Sequence, residues 1–449
     1  MMTYQETIDY LYRQLPSFER QGNKGYKPGL QTSRRLDDLF GNPHRQYPCI
    51  HVAGTNGKGS VSHLMATTLQ QCGFKVGLYT SPHIVDFRER IRVNGKMIPQ
   101  EAVSDFMARY FAQTGQNGIL APERQSEELD DFHPTFFELT STMAMDYFSQ
   151  EQVDYAVIEV GLGGRLDSTN IITPILSVIT NISLDHTQFL GNTLVEIAGE
   201  KAGIIKPHVP VVVGEAQGDV RRVFERKAAT KHSPIYFAQD TPLVLSGESI
   251  GGHTALVTKH LGRIEDQLGG ECQVINANTA LTAIEALKAQ GIHIGHEAIT
   301  SAFSQVITLS GLIGRWQLLR ENPRVICDSG HNIGAFRHTV SQLRQEHFDQ
   351  LHLLLGFMKD KDIEHILKLL PQQGTYYFTH AHNERALSAT SLQAQAARYG
   401  LQGECYSHVR EAYQAALSKA GNNDLIFIGG SMYVLAELGD ELLAPIAKQ

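Results

Sequence analysis

The segment His51-Val52-Ala53-Gly54-Thr55-Asn56-Gly57-Lys58-Gly59-Ser60 carries an apolar run into a glycine-rich turn that holds a lysine. A strand entering such a turn and leaving as a helix is the phosphate-binding unit of an α/β domain. Gly54, Gly57 and Gly59 let the backbone curl tightly and aim several N–H groups at one point. Lys58 adds a positive charge, and a helix expected over about Gly59–Cys72 adds its positive N-terminal end. The arrangement suits a polyphosphate, so Gly54, Thr55, Asn56, Gly57, Lys58, Gly59 and Ser60 are the candidate nucleotide-binding residues. The loop departs from the usual G-x-x-x-x-G-K-[ST] pattern, in which the last hydroxyl serves magnesium. Here Gly59 follows the lysine and Ser60 comes one place too late, so protein ligands for a metal must come from elsewhere.

Working outward, 449 residues suggest two domains or three. Hydrophobic residues make up 42 %, enough for ordinary globular cores, and the net charge of -8 without a long basic run argues against a nucleic-acid partner. Cys49, Cys72, Cys272, Cys327 and Cys405 form no CxxC pair, a scatter that suits reduced thiols in the cytoplasm. The N-terminus lacks the basic and apolar regions of a signal peptide, and no apolar run approaches the ~20 residues of a membrane span.

Strand-like runs alternate with helical patterns, which predicts α/β architecture. Strands are expected at 49–52, 76–80, 155–160, 176–180 and 209–214, and a long helix over about 276–290. Residues 240–272 are weakly patterned, in keeping with short antiparallel strands, and the polar segment 112–134 reads as a surface loop. After Gly311-Leu312-Ile313-Gly314 the alternation restarts, with strands at 324–327, 351–355, 375–379 and 424–428. The expected division is an ATP-binding domain over 1–309 and a smaller doubly wound domain over 310–449.

In open α/β sheets, ligands sit beyond the carboxyl ends of the strands, and polar clusters stand at such positions here. Ser81 follows one strand; it either caps the turn before Pro82 or supplies the hydroxyl that Gly59 lacks. Glu159 ends an apolar strand, where a buried carboxylate requires an ion pair or a metal. Asp185-His186 follows another strand, and His186 reads as a core histidine or a metal ligand. Lys201 is a paired surface lysine or, if desolvated, one that gives up its proton and takes up carbon dioxide as a carbamate. Past the domain boundary stand Arg315, suited to neutralising phosphate charge, and Asp328 with His331 at a strand end.

Together these stretches closely resemble folylpolyglutamate synthase and dihydrofolate synthase, a branch of the Mur ligase superfamily. The resemblance runs through HVAGTNGKGSV at 51–61, SPHIVDFRERIRVNG at 81–95, TFFE at 135–138 and EVGLGGRLDSTN at 159–170. It continues through ITNISLDHTQFLGNT at 179–193, EKAGIIKP at 200–207, GRWQ at 314–317, DSGHN at 328–332, MKDKD at 358–362 and GGSMYVLAE at 429–437.

The resemblance implies an N-terminal P-loop ATPase domain, a C-terminal Rossmann-like domain and ATP between them. It implies a monomer that phosphorylates the carboxylate of dihydropteroate or a folate and joins L-glutamate to it. By the same resemblance Lys58 and Arg315 contact phosphates, and Ser81, Glu159 and His186 hold magnesium, with two ions expected. Lys201 matches a lysine carbamylated near the second metal, Asp328 and His331 match the D-G-A-H-N-P motif, and Asn276 stands near the adenine. Phe136, Phe137 and Asp167 fall where relatives hold the pterin. Ser329-Gly330 replaces Gly-Ala in that motif and Ile333 replaces Pro, so Ser329 and Asn332 inherit no role from it. A Mur-type ligase for a cell-wall precursor and a non-catalytic nucleotide-binding protein are the alternative readings.

Overall fold

The computed structural model describes residues 2–16, 29–115 and 132–447. A first sheet contains eight strands: β1 (Cys49–Ala53), β2 (Val76–Tyr79), β3 (Ile91–Val93), β4 (Lys96–Met97), β5 (Tyr155–Glu159), β6 (Leu176–Ile179), β7 (Val211–Val213) and β8 (Ile235–Phe237). Their order is β4-β3-β2-β5-β1-β6-β7-β8, parallel except for the β3–β4 hairpin at one edge. β1 is central, paired with β5 on one side and β6 on the other. The chain leaves β1 toward β2 on one side of it and later leaves β5 for β6 on the other, so the carboxyl ends of the neighbouring β1 and β5 form the switch point where such sheets bind ligands.

The helix that follows β1, Lys58–Gln71, is buried almost all round, with Val61, Leu64, Met65 and Leu69 in the core it shares with the Cys272–Lys288 helix. Such burial explains its mixture of apolar and small residues and the absence of a polar face. On the opposite side of the sheet the Phe136–Gln150 helix packs with the N-terminal helices. It begins at a capping box in which Thr135 and Glu138 satisfy each other's backbone N–H groups. A separate three-stranded antiparallel sheet follows: β9 (Val244–Ile250), β10 (His253–Thr258) and β11 (Gly262–Asp266), as the weak patterning of 240–272 predicted.

The second large sheet is built from β12 (Gln317–Glu321), β13 (Arg324–Cys327), β14 (Leu351–Leu355), β15 (Thr375–Phe378), β16 (Gly403–Cys405) and β17 (Leu425–Gly429). Its order is β12-β13-β17-β14-β15-β16, with only β12–β13 antiparallel. Apolar clusters cover both of its faces, as a parallel sheet requires.

Several expected boundaries shift. The long helix starts at Cys272 rather than Asn276 and ends at Lys288. The 112–134 loop is cut short, because residues to Thr114 complete the Gln100–Thr114 helix; residues 116–131 lie outside the described residues. All five cysteines are free thiols. Among the described residues, no helix is long and apolar enough to cross a membrane.

Candidate active site

The loop after β1 is shaped by what stands opposite its glycines. A Cβ on Gly54 (φ +147°) would lie 1.8 Å from Thr180 Oγ1, and one on Gly57 (φ +81°) 2.2 Å from Asn276 Oδ1. Both positions therefore exclude a side chain on backbone conformation and on space. A Cβ on Gly59 would stand 3.3 Å from Arg315 Nη2, a close fit, and 4.0 Å from Glu159 Oε1. The loop is tied to the end of β6: Thr180 Oγ1 donates to the Asn56 carbonyl (2.5 Å), and Asn181 Oδ1 accepts from the Asn56 amide (3.0 Å). Lys58 Nζ donates to the Gly54 and Thr55 carbonyls, both at 3.1 Å. Ser60 is different: its hydroxyl is buried, without a hydrogen-bond partner among the described residues.

Glu159, at the end of β5, is 4 % exposed. Ser81 N–H donates to its Oε2 at 2.9 Å, which joins two of the expected metal ligands. Burial pushes the Glu159 carboxyl up, while Lys58, Arg315 and Arg90 pull it down. Magnesium commonly takes one or two carboxylates and fills its shell with phosphate oxygens and water. Glu159 with the neighbouring Ser81 is such a donor set. Among the described residues there is no group of three or more His, Cys, Asp and Glu that could hold a metal ion, so phosphate oxygens and water would have to complete the shell. His186 lines the same cleft as Ser81; burial pushes its ring down to about 3 and so keeps it neutral.

Lys201 is a buried lysine, not a surface one. Its Nζ donates to the Gly54 carbonyl at 2.9 Å. Burial and the charge of Lys58 lower its amine from 10.5 to about 7, against the pull of nearby carboxylates. The chain thus places a poorly solvated amine directly beneath the phosphate loop.

The second sheet delivers its residues to the same place. Asp328, just past β13, accepts from the Trp316 and Gly330 amides (2.9 and 2.8 Å), which fixes the turn carrying Arg315. Arg315 Nη1 donates to the Gly314 carbonyl (3.1 Å) and to the Ser329 hydroxyl. Ser329, one of the departures from the family motif, thus grips the candidate phosphate arginine. Asn332 also has a clear place: its side-chain amide and that of Asn56 exchange hydrogen bonds at 2.9 and 3.2 Å across the two sheets.

The centre of this junction is Asp185, which the sequence marked only as the neighbour of His186. Its carboxylate takes Lys361 Nζ at 2.7 Å, Asn332 Nδ2 at 3.0 Å and His331 Nε2 at 3.3 Å, all from the second sheet. Burial alone would raise its carboxyl, but His186, His331 and Lys361 beside it hold it well below the ordinary range. Lys361 comes from the MKDKD stretch, quoted for its resemblance but given no role.

Two clefts open from the junction. One is lined by Asn56, Gly57, Gly270, Asn276, Trp316 and Asp328. The other is largely apolar, with Phe136, Phe137, Leu162, Tyr433, His331 and Arg385 among its walls. The structure qualifies two of the expected substrate residues. Phe136 is only 2 % exposed, stacked on Tyr12 at 5.3 Å with the Arg90 guanidinium 5.1 Å from its ring centre, so it forms wall rather than platform. Asp167 points its oxygens into its own loop, accepting from the Leu162 amide (2.8 Å) and from Thr169 (amide 3.0 Å, hydroxyl 2.5 Å). Phe137 is more open and packs against Gly161, where a Cβ would fall 2.2 Å from its Cζ.

Comparison with known proteins agrees with this geometry. Residues 52–284 match the Mur ligase middle domain, and residues 314–432 match the Mur ligase, glutamate ligase domain. The dihydrofolate synthase/folylpolyglutamate synthase of Bacillus subtilis is 32 % identical over 428 residues, covering 93 % of this chain and 96 % of that protein. A probable bifunctional folylpolyglutamate synthase/dihydropteroate synthase of Haloferax volcanii is 32 % identical over 97 % of this chain, and the chain spans 50 % of its length. Escherichia coli FolC in complex with DHPP and ADP superposes with a TM-score of 0.82 at 28 % identity, over 99 % of this chain and 98 % of that one. By sequence match across both large sheets and by fold, the chain belongs to the dihydrofolate synthase/folylpolyglutamate synthase family of Mur ligases.

Proposed function

We propose that the chain is an ATP-dependent ligase that joins L-glutamate to dihydropteroate, to reduced folates, or to both. The observation that carries the reading is the meeting of a glycine-walled phosphate loop, the buried Glu159 and Arg315 of the second sheet at one point. A cell-wall substrate is disfavoured by the relatives, which are folate enzymes over nearly their whole length. A non-catalytic binder would have no use for the buried Lys201, the Arg315 turn and the Asp185 junction together.

The cleft between the sheets, with Asn276 and Trp316 in its walls, takes ATP, and the loop 54–60 with Lys58 takes its phosphates. A substrate carboxylate oxygen from the apolar cleft attacks the γ-phosphorus, and ADP leaves. The neutral amine of glutamate then attacks the acyl carbon, phosphate departs with the bond electrons, and the nitrogen gives up one proton to phosphate or water. Arg315 is placed to spread the charge of the transferring phosphoryl group. The bridge from Asp185 to Lys361, Asn332 and His331 holds the sheets together and keeps water from the acyl phosphate. Glu159, Ser81 and His186 would hold magnesium, which supplies charge neutralisation at the phosphates. Lys201, buried and facing the loop, is placed to carry a carbamate toward a second ion; its confinement favours the neutral amine that reacts with carbon dioxide. We take 1–309 and 310–449 as the two domains, the second beginning at Ser310, the last residue of the helix before β12. A cytoplasmic monomer is the state in which we expect the enzyme to work.

The reading is tested by ADP release with magnesium, ATP and L-glutamate, run in parallel with 7,8-dihydropteroate and tetrahydrofolate. Glutamate-dependent turnover with one or both is expected, and the pattern separates one activity from two; turnover with neither refutes the proposal. Lys201→Ala lowers kcat by about 10²-fold or more, the scale of losing a preorganised charge in the site. Added bicarbonate leaves that loss in place; a near-normal rate removes the carbamate from the account. Glu159→Gln shifts the magnesium titration of the rate to at least about tenfold higher concentration, since it replaces a charged oxygen donor by a neutral one. An unchanged titration reduces Glu159 to an ion-pair partner of Lys58 and Arg315.

A further inference from the structure

The segment that joins the two large sheets is gripped along its course. At its start, Leu309 lies over the β3–β4 turn, where a Cβ on Gly95 (φ +75°) would fall 1.7 Å from the Leu309 carbonyl oxygen. Arg92 Nη1 donates to the Gly95 carbonyl at 3.0 Å, and the same guanidinium occupies the space beside Gly311, 2.9 Å from a Cβ built there. Ser310, between these contacts, meets His63 Nδ1 through its Oγ at 2.7 Å. At the far end Arg315 Nη2 packs on Gly59.

Gly59 and His63 lie one turn apart on the Lys58–Gln71 helix and so share a face. Ser310 sits on the second turn of that face and Arg315 on the first. The connecting segment therefore runs back along the phosphate-loop helix toward its N-terminus. The direction of the hydrogen bond is fixed as well. The Ser310 hydroxyl gives its one proton to the Val306 carbonyl at 2.5 Å, so Nδ1 of His63 carries the proton and donates. Burial, with Arg92 and Arg315 nearby, holds the His63 ring well below its usual pKa. A neutral donor fits between two guanidinium groups where a cation would be repelled.

We infer that His63 is a positioning residue: its hydrogen bond to Ser310 sets the register of the connecting segment on the phosphate-loop helix and so places Arg315 over Gly59. The inference rests on the reading of Arg315 as the phosphate-contacting arginine. It also accounts for the glycine after Lys58. Position 59 is the seat of an arginine from the other domain, and a serine there would crowd the guanidinium it must admit.

The test is a double-mutant cycle on kcat/KM for ATP, with KM for glutamate measured alongside. Arg315→Ala is expected to lower kcat/KM for ATP by about tenfold or more. His63→Ala is expected to lower it by about three- to tenfold with KM for glutamate unchanged, and His63→Asn, whose side-chain N–H reaches the same place, restores most of it. In the Arg315→Ala background, His63→Ala adds less than about twofold, because the arginine it positions is gone. A full additional loss in that background overturns the clamp, as does an unaltered rate in His63→Ala. If Arg315→Ala itself is near normal, the reading of Arg315 fails instead, independently of the clamp. Should His63→Ala fold poorly, Ser310→Ala carries the same cycle from the other side of the hydrogen bond.

Discussion

Crowding around the loop 54–60 is the constraint on which the rest depends. Each of its three glycines faces a different part of the molecule: Gly54 faces Thr180 beyond β6, Gly57 faces Asn276 of the long helix, and Gly59 faces Arg315 from the second sheet. The loop is thus the point at which both sheets and the helix between them converge. A methyl group at Gly54 or Gly57 would demand movement in an element that also anchors the core.

Charge follows the same geometry. Lys58, Arg315 and Arg90 surround one buried carboxylate, Glu159, and the buried Lys201 stands beneath the loop. A pocket so arranged is short of negative charge, and a polyphosphate with a divalent cation corrects the deficit. The second anion of the junction, Asp185, is spent differently: it binds three groups from the other sheet and makes the two domains one catalytic surface. A buried pair such as Asp185–Lys361 is a poor source of net stability but a strict specifier of geometry, because removing one partner leaves the other charged and dry. Here it specifies how the two sheets meet.

Local signals were readable in the sequence, and pairings across the fold were not. The glycine loop, the strand-end residues Glu159 and Asp328, and the restart of alternation after Gly314 depend on neighbours in the chain, so spacing reveals them. The β3–β4 hairpin also has a local signal, since Asn94-Gly95 is a strong two-residue turn, but its strands are too short to carry an alternation of their own. The Asn56–Asn332 exchange joins residues 276 apart, and the Asp185–Lys361 bridge residues 176 apart; no spacing rule reaches that far. The departures from the family motif are a related case. Ser329 looked like a loss from the family pattern, yet its hydroxyl finds Arg315, a partner visible only when β12 and β13 are paired. Lys201 and Phe136 turned on burial, which a single sequence does not display: one is deeper than a surface lysine, the other deeper than a substrate platform.

The most direct test of the account is the affinity of Gly54→Ala for ADP by titration calorimetry, with its unfolding temperature measured beside that of the parent. A side chain there meets Thr180 Oγ1 at 1.8 Å in a backbone conformation that suits glycine. Strain of about 1–3 kcal/mol at such a position corresponds to roughly five- to 150-fold in binding if the loop escapes it by opening. The account predicts a loss of that size in a protein that still folds. Binding within about twofold of the parent would contradict it, because the nucleotide would then be held by something other than this loop.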